Sequence, residues 1–216
     1  MRPNGGLLGV GLVKFLLALL LCALALVCTS AEAIDLAQLI SEKFEEMSLS
    51  MPTPAHVFVC HGFGCRYRTE VGLGQRDHVQ LAQIISHGRA SPEAERRAIV
   101  QAIAWLERRT APEAGTTTAI ARSNRVYPFG NVSQFDCIDT TMNTMGYVLV
   151  LEQLHLLRHH RLDLPVSRHL FYDGEPHTSA VVRELPGGAL WALDPWTHNN
   201  GEAPDMLPVA TWMAQK

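Results

Sequence analysis

Three residues in the C-terminal half of the chain carry the types and order needed for thiol chemistry. Cys137 opens an apolar, helix-like run, Cys137-Ile138-Asp139-Thr140-Thr141-Met142-Asn143. His177 begins an alternating, strand-like run to Val182, and Asp194 closes the next such run, Leu190-Trp191-Ala192-Leu193-Asp194. A thiol at a helix N-terminus has its thiolate favoured by unpaired N–H groups and by the helix dipole. An imidazole can take its proton, and a carboxylate can hold that imidazole in the useful tautomer. The competing reading of Cys137 is a buried cysteine serving as a small hydrophobe.

The elements that must position these groups follow from pattern. Ile34 to Met47 reads as a short helix with Leu36, Leu39, Ile40 and Phe44 on one side, ended by Met51-Pro52-Thr53-Pro54. Two strand-like segments, Ala55 to Val59 and Arg66 to Thr69, flank Cys60-His61-Gly62-Phe63-Gly64-Cys65. Asp77 to Ser86 is helical in character. Ser91-Pro92-Glu93 then marks a helix start, with serine as cap and proline in the first turn. That helix is expected to reach about Arg109, with a polar loop from Thr110 to Phe129 after it. The run from Cys137 to about His160 is apolar around most of its circumference, which predicts a central buried helix, and Asp136 is its candidate cap. Strands are expected at Arg168 to Tyr172, from His177 and from Leu190, with Pro186-Gly187-Gly188 as the hairpin turn. Helices followed by antiparallel strands predict an α+β domain with a helical N-terminal half.

Residues 1–33 stand apart. Arg2 and Lys14 precede an apolar run of 13 residues, Phe15 to Val27, and Ala31-Glu32-Ala33 offers a small-x-small cleavage site. This is the pattern of a signal peptide, since the run falls short of the roughly 20 residues that span a bilayer. The competing reading is an uncleaved anchor, because Gly5 to Val13 extends the apolar character on the other side of Lys14. Residues 34–216 are then expected to form one domain, periplasmic or secreted, with a membrane association only through an uncleaved anchor. The net charge of −3 and sequence pI near 6.3 give no sign of a nucleic-acid partner.

Of five cysteines, Cys22 and Cys28 fall in the presumed signal peptide, leaving Cys60, Cys65 and Cys137. An odd count in an oxidising compartment suggests one pair and one free thiol. A hairpin would bring Cys60 and Cys65 within bonding distance, so they are the expected disulfide, with a redox or metal role as the alternative.

Cys at a helix start, His 40 residues later at the opening of a strand, and Asp 17 further on at the end of the next resemble the transglutaminase-like superfamily. The stretch His177-Thr178-Ser179-Ala180-Val181-Val182 … Leu190-Trp191-Ala192-Leu193-Asp194-Pro195 is similar to its H-x-x-x-V … W-x-x-D-P pattern. The likeness covers about residues 135–196. It implies a papain-like core with the nucleophile helix packed on an antiparallel sheet. It also implies a cysteine hydrolase or acyltransferase acting on amide bonds of peptides or proteins, cell-wall peptide among them, through a thioester. In that reading Cys137 attacks, His177 is base and then acid, and Asp194 orients His177. The Cys137 N–H is the first oxyanion donor and Gln134 a weaker second. The sequence departs from the family where many members carry glycine close before the cysteine; here the residues are Gln134-Phe135-Asp136.

A hairpin tip at Pro186-Gly187-Gly188 leaves His177 and Asp194 about three residues out of opposition, roughly 10 Å along a strand. A bulge, strong twist or asymmetric loop is needed to close that gap. No cofactor and no metal are expected. His155 and His159 stand four apart with His160 adjacent, but Leu156-Leu157-Arg158 lies between them with no glutamate, and a solvated cluster at a helix C-terminus is the preferred reading. Asp139, half a turn beyond Cys137, points off the face that His177 would use. The alternative to an enzyme is a catalytically inactive secreted binding domain of the same fold.

Overall fold

The computed structural model describes residues 36–123, 131–169 and 176–215; the stretch 1–33, expected to be a signal peptide, lies outside them. The chain divides into two units, Met1–Ser41 and Glu42–Lys216. Of the first, residues 36–41 are described and are helical. The elements are α1 (36–46), β1 (His56–His61), β2 (Tyr67–Gly72), α2 (Gln75–Ser86), α3 (Pro92–Ala114), α4 (Cys137–Gln153), β3 (His160–Arg168), β4 (His177–Glu184), β5 (Leu190–Asp194), β6 (Asp205–Pro208) and α5 (Val209–Met213). The protein is α+β, as the element order predicts. β1 and β2 form an antiparallel hairpin, and β3-β4-β5-β6 form an antiparallel sheet in that order.

α4 is the centre of the second unit. Every residue from Asp139 to Leu151 is buried, and the helix packs on β1 and on β4. A helix apolar on all sides must be covered on all sides, and the two sheets supply that cover. It ends at Gln153 rather than near His160. Although Leu154, Leu156 and Leu157 continue the apolar run, His155 turns into the left-handed region at φ 55°. The buried Glu95 of α3 then catches the chain: its carboxylate accepts the N–H groups of Arg158 and His159, both at 2.8 Å, and meets His160 Nδ1 at 3.0 Å. His160 is thus a buried residue that begins β3, not part of a solvated histidine cluster. Among the described residues no group of three or more His, Cys, Asp or Glu is arranged to hold a metal.

Other boundaries moved for physical reasons. α3 runs through Pro112 to Ala114, beyond the expected end at Arg109, because Ala111 and Ala114 are buried and Gly115 at φ 70° caps it with its N–H on the Ala111 carbonyl. The strand expected from Arg168 to Tyr172 starts eight residues earlier as β3; residues 170–172 lie outside the described ones, as does the end of the 110–129 loop. β6 and α5 were not expected at all. Both are short, and neither carries a clear apolar period.

The β4–β5 register resolves the spacing problem. Ala180 stands opposite Leu193 and Val182 opposite Trp191, so Asp194 faces Ser179 and lies two residues from His177, not three. Side chains alternate faces along a strand, so an even offset puts His177 and Asp194 on the same face, where an odd one would have separated them. Diagonal neighbours of this kind are about 7–8 Å apart at the backbone, within reach of a histidine and a carboxylate. The irregularity lies on the other side: β3 carries an extra residue between Asp163 and Val166, at Leu164-Pro165, which aligns Arg168 with His177.

Candidate active site

α4 begins where it does because Asp136 caps it. The Asp136 side chain accepts the Asp139 N–H at 2.9 Å, and the Asp139 side chain accepts the Asp136 N–H at 3.1 Å, a reciprocal capping box. Cys137 is the first residue of the helix, half-buried and free, while Cys60 and Cys65 are disulfide-bonded. The same two aspartates hold the disulfide loop. Gly62, Phe63, Gly64 and Cys65 all have positive φ, a run that turns consecutive N–H groups toward one side as an anion-binding nest. The Phe63 and Cys65 N–H groups donate to Asp139 at 2.9 and 2.6 Å, and the Gly64 N–H donates to Asp136 at 2.7 Å. One turn on, Asn143 exchanges two hydrogen bonds with the Cys60 backbone. Asp139 therefore faces the disulfide loop, as its position off the His177 face requires.

On the other side, His177 Nε2 lies 2.6 Å from Asp194 Oδ2. Both side chains are almost fully buried, and the indole N–H of Trp212 donates to the same oxygen at 2.8 Å. The Trp196 and Trp212 rings lie 4.5 and 5.3 Å from the imidazole. Trp191 faces elsewhere, with the Arg96 guanidinium 3.7 Å above its ring. His177 Nδ1 and Asp194 Oδ1 are buried with no hydrogen-bond partner. In a neutral ring that donates from Nε2 to this carboxylate, Nδ1 carries the lone pair. Thr178 links this side to the start of α4: its carbonyl accepts from Thr141 Oγ1, four residues past Cys137, at 3.0 Å.

Burial pushes the Cys137 thiol up to about 11; the charges of Asp136 and Asp194 add to this, and N–H bonds from Thr178 and from Cys137 itself oppose it. Desolvation and two nearby carboxylates thus act against the thiolate that the helix terminus favours. Burial and the Asp136 charge likewise push Asp139 up to about 7.

No protein-family model, curated protein or solved structure matches this chain.

Gln134 is buried with its amide committed. Its Oε1 accepts the Ile120 N–H at 3.0 Å, and its Nε2 donates to the Thr118 carbonyl at 3.2 Å and to Ser133 Oγ at 3.4 Å. Both amide hydrogens are used, so the side chain has none to offer an oxyanion. Trp212 is the residue that pattern reading missed. It is the single buried residue of the five-residue α5, and nothing in its local sequence distinguishes it from a packing tryptophan. Cavities of about 430 and 600 Å3 lie against α3 and share no residue with the trio. No helix among the described residues is long and apolar enough to cross a membrane.

Proposed function

We propose that this protein is a thiol hydrolase or acyltransferase of transglutaminase-like type, acting on amide bonds of peptides or proteins through Cys137, His177 and Asp194. The observation that carries the reading is the buried His177–Asp194 pair, whose remaining ring nitrogen, Nδ1, has a lone pair and no partner. A buried acceptor left open costs about 1–3 kcal/mol, and such costs concentrate where chemistry uses them. In the proposed reaction Nδ1 takes the Cys137 proton as sulfur bonds to the acyl carbon. The oxyanion so formed is met by the Cys137 N–H at the helix start. His177 then returns the proton to the leaving amine, giving a thioester, and water or a second amine releases the acyl group. The disulfide fits an oxidising compartment, and we place the protein in the periplasm or outside the cell, where cell-wall peptide is one available substrate.

A second reading, an inactive binding domain, is favoured by the raised Cys137 pKa and by the absence of a thiol–imidazole hydrogen bond. The pH dependence of iodoacetamide labelling at Cys137, located by mass spectrometry, separates the two. An enzyme labels with an apparent pKa well below the free-thiol value of about 8.5, and His177→Ala loses or shifts that profile. Wild type and His177→Ala giving the same high profile would leave a structural thiol and the binding domain.

A further inference from the structure

Beside the thiol lies a cavity of about 230 Å3 between the start of α4 and strands β3 and β4. It is lined by Ile138 and Thr141, one and four residues past Cys137 and so beside it on the helix, and by Thr178, whose carbonyl accepts from Thr141 Oγ1. A group bonded to that sulfur is therefore within one side chain of the cavity. The apolar part of the lining is Met47, Ile138, Met142 and Pro165, the last set there by the bulge in β3.

The polar groups of the cavity are already satisfied by one another. Ser167 Oγ and Thr178 Oγ1 are 2.8 Å apart, and Thr141 Oγ1 donates to the Thr178 carbonyl. The two charged residues of the lining, Lys43 and Glu46, pair at 2.9 Å and leave no net charge. A ligand with a charge would lose water here and gain no counter-ion, whereas an apolar one loses nothing. The volume exceeds the roughly 150 Å3 in which an apolar protein cavity holds a benzene.

Resting on the thiol-enzyme reading above, we infer that this cavity receives the side chain of the substrate residue that bears the scissile carbonyl, and that this side chain is large, uncharged and apolar, of leucine size.

The test uses affinity labels, which need no turnover. Acetylated amino-acid chloromethyl ketones with leucine, glycine, lysine or aspartate side chains are compared for their rate of alkylating Cys137, with iodoacetamide as the reference lacking a side chain. The leucine reagent is expected to react about tenfold faster than the glycine one, the factor that burying most of such a side chain supplies. Met47 lines the cavity from outside α4, so Met47→Trp should bring that ratio, each rate taken relative to iodoacetamide labelling of the same variant, to within about threefold. Met47→Ala, which enlarges the cavity, should favour a phenylalanine reagent over leucine. Equal rates for all four side chains in wild type, or a leucine preference untouched in both Met47 variants, would overturn the inference. A leucine preference that persists while labelling proves independent of His177 would instead sink the enzyme reading and leave the cavity assignment standing.

Discussion

Cys137 is framed by two regions built on opposite rules. On the disulfide-loop side, hydrogen bonding is saturated: Asp139 accepts three backbone N–H groups, Asp136 accepts from Gly64 and Asp139, and Asn143 uses its amide in both directions on Cys60. On the imidazole side, three buried atoms, His177 Nδ1, Asp194 Oδ1 and Trp196 Nε1, have no partner. Saturation fixes where a helix starts; incompleteness leaves an atom free to act. The first region holds Cys137 in place, and in the proposed reaction the second is where a proton moves.

The comparison is sharpest where the saturated side is broken. Asp139→Ala removes the acceptor of three N–H groups, each costing about 1–3 kcal/mol if left unpaired, so a loss of more than about 3 kcal/mol in urea unfolding is expected. A loss below 1 kcal/mol would mean that water replaces the carboxylate and that the clamp is not what sets α4. Trp212→Phe tests the other side. It removes one donor to the Asp194 carboxylate and should cost about 2 kcal/mol, the scale of a hydrogen bond to a charged group. It should also shift the pH profile of Cys137 labelling, which Asp139→Asn should leave closer to wild type. Identical labelling profiles for wild type and Trp212→Phe would reduce Trp212 to packing.

A further test is in pH. Asp139 is raised from 3.8 to about 7, so between those values the folded protein holds a proton that the unfolded chain has released. Its contribution is full below about pH 4 and is lost as pH rises through about 7. The stability of wild type should therefore fall relative to Asp139→Asn between pH 4.5 and 7.5. Glu107, raised by burial to about 8, acts in the same direction and is present in both proteins, so it cancels from the difference. A constant difference across that range would show that the pair is not protonated in the fold.

The parts legible in the sequence are those with local signals. The Ser91 cap, the Cys60–Cys65 pairing and the α+β order come from residue types within a few positions of one another, and each is seen in the structure. The helix end at Gln153 was illegible because Glu95, some 60 residues earlier, decides it. The His177–Asp194 offset was misjudged by one residue because a turn of the Pro-Gly-Gly kind does not state its own register, and that single residue decides which face each side chain takes. Trp212 was missed for a different reason. Its role depends on an acceptor on β5, and a short terminal helix carries no period from which to infer it. Gln134 was misread because its partners, at Thr118 and Ile120, lie in a loop without pattern.

The two halves of the site also differ in how much chain each must close. His177 and Asp194 are 17 residues apart, on neighbouring strands of one hairpin, while the loop-to-helix bonds of Phe63, Gly64 and Cys65 span 72 to 76 residues. Loop-closure entropy grows by about 0.6 kcal/mol per doubling of length, so the clamp costs roughly 1 kcal/mol more to close than the histidine–aspartate pair. The β4–β5 hairpin can thus bring its two side chains together as a local event, and the thiol joins them only when the long-range clamp has formed.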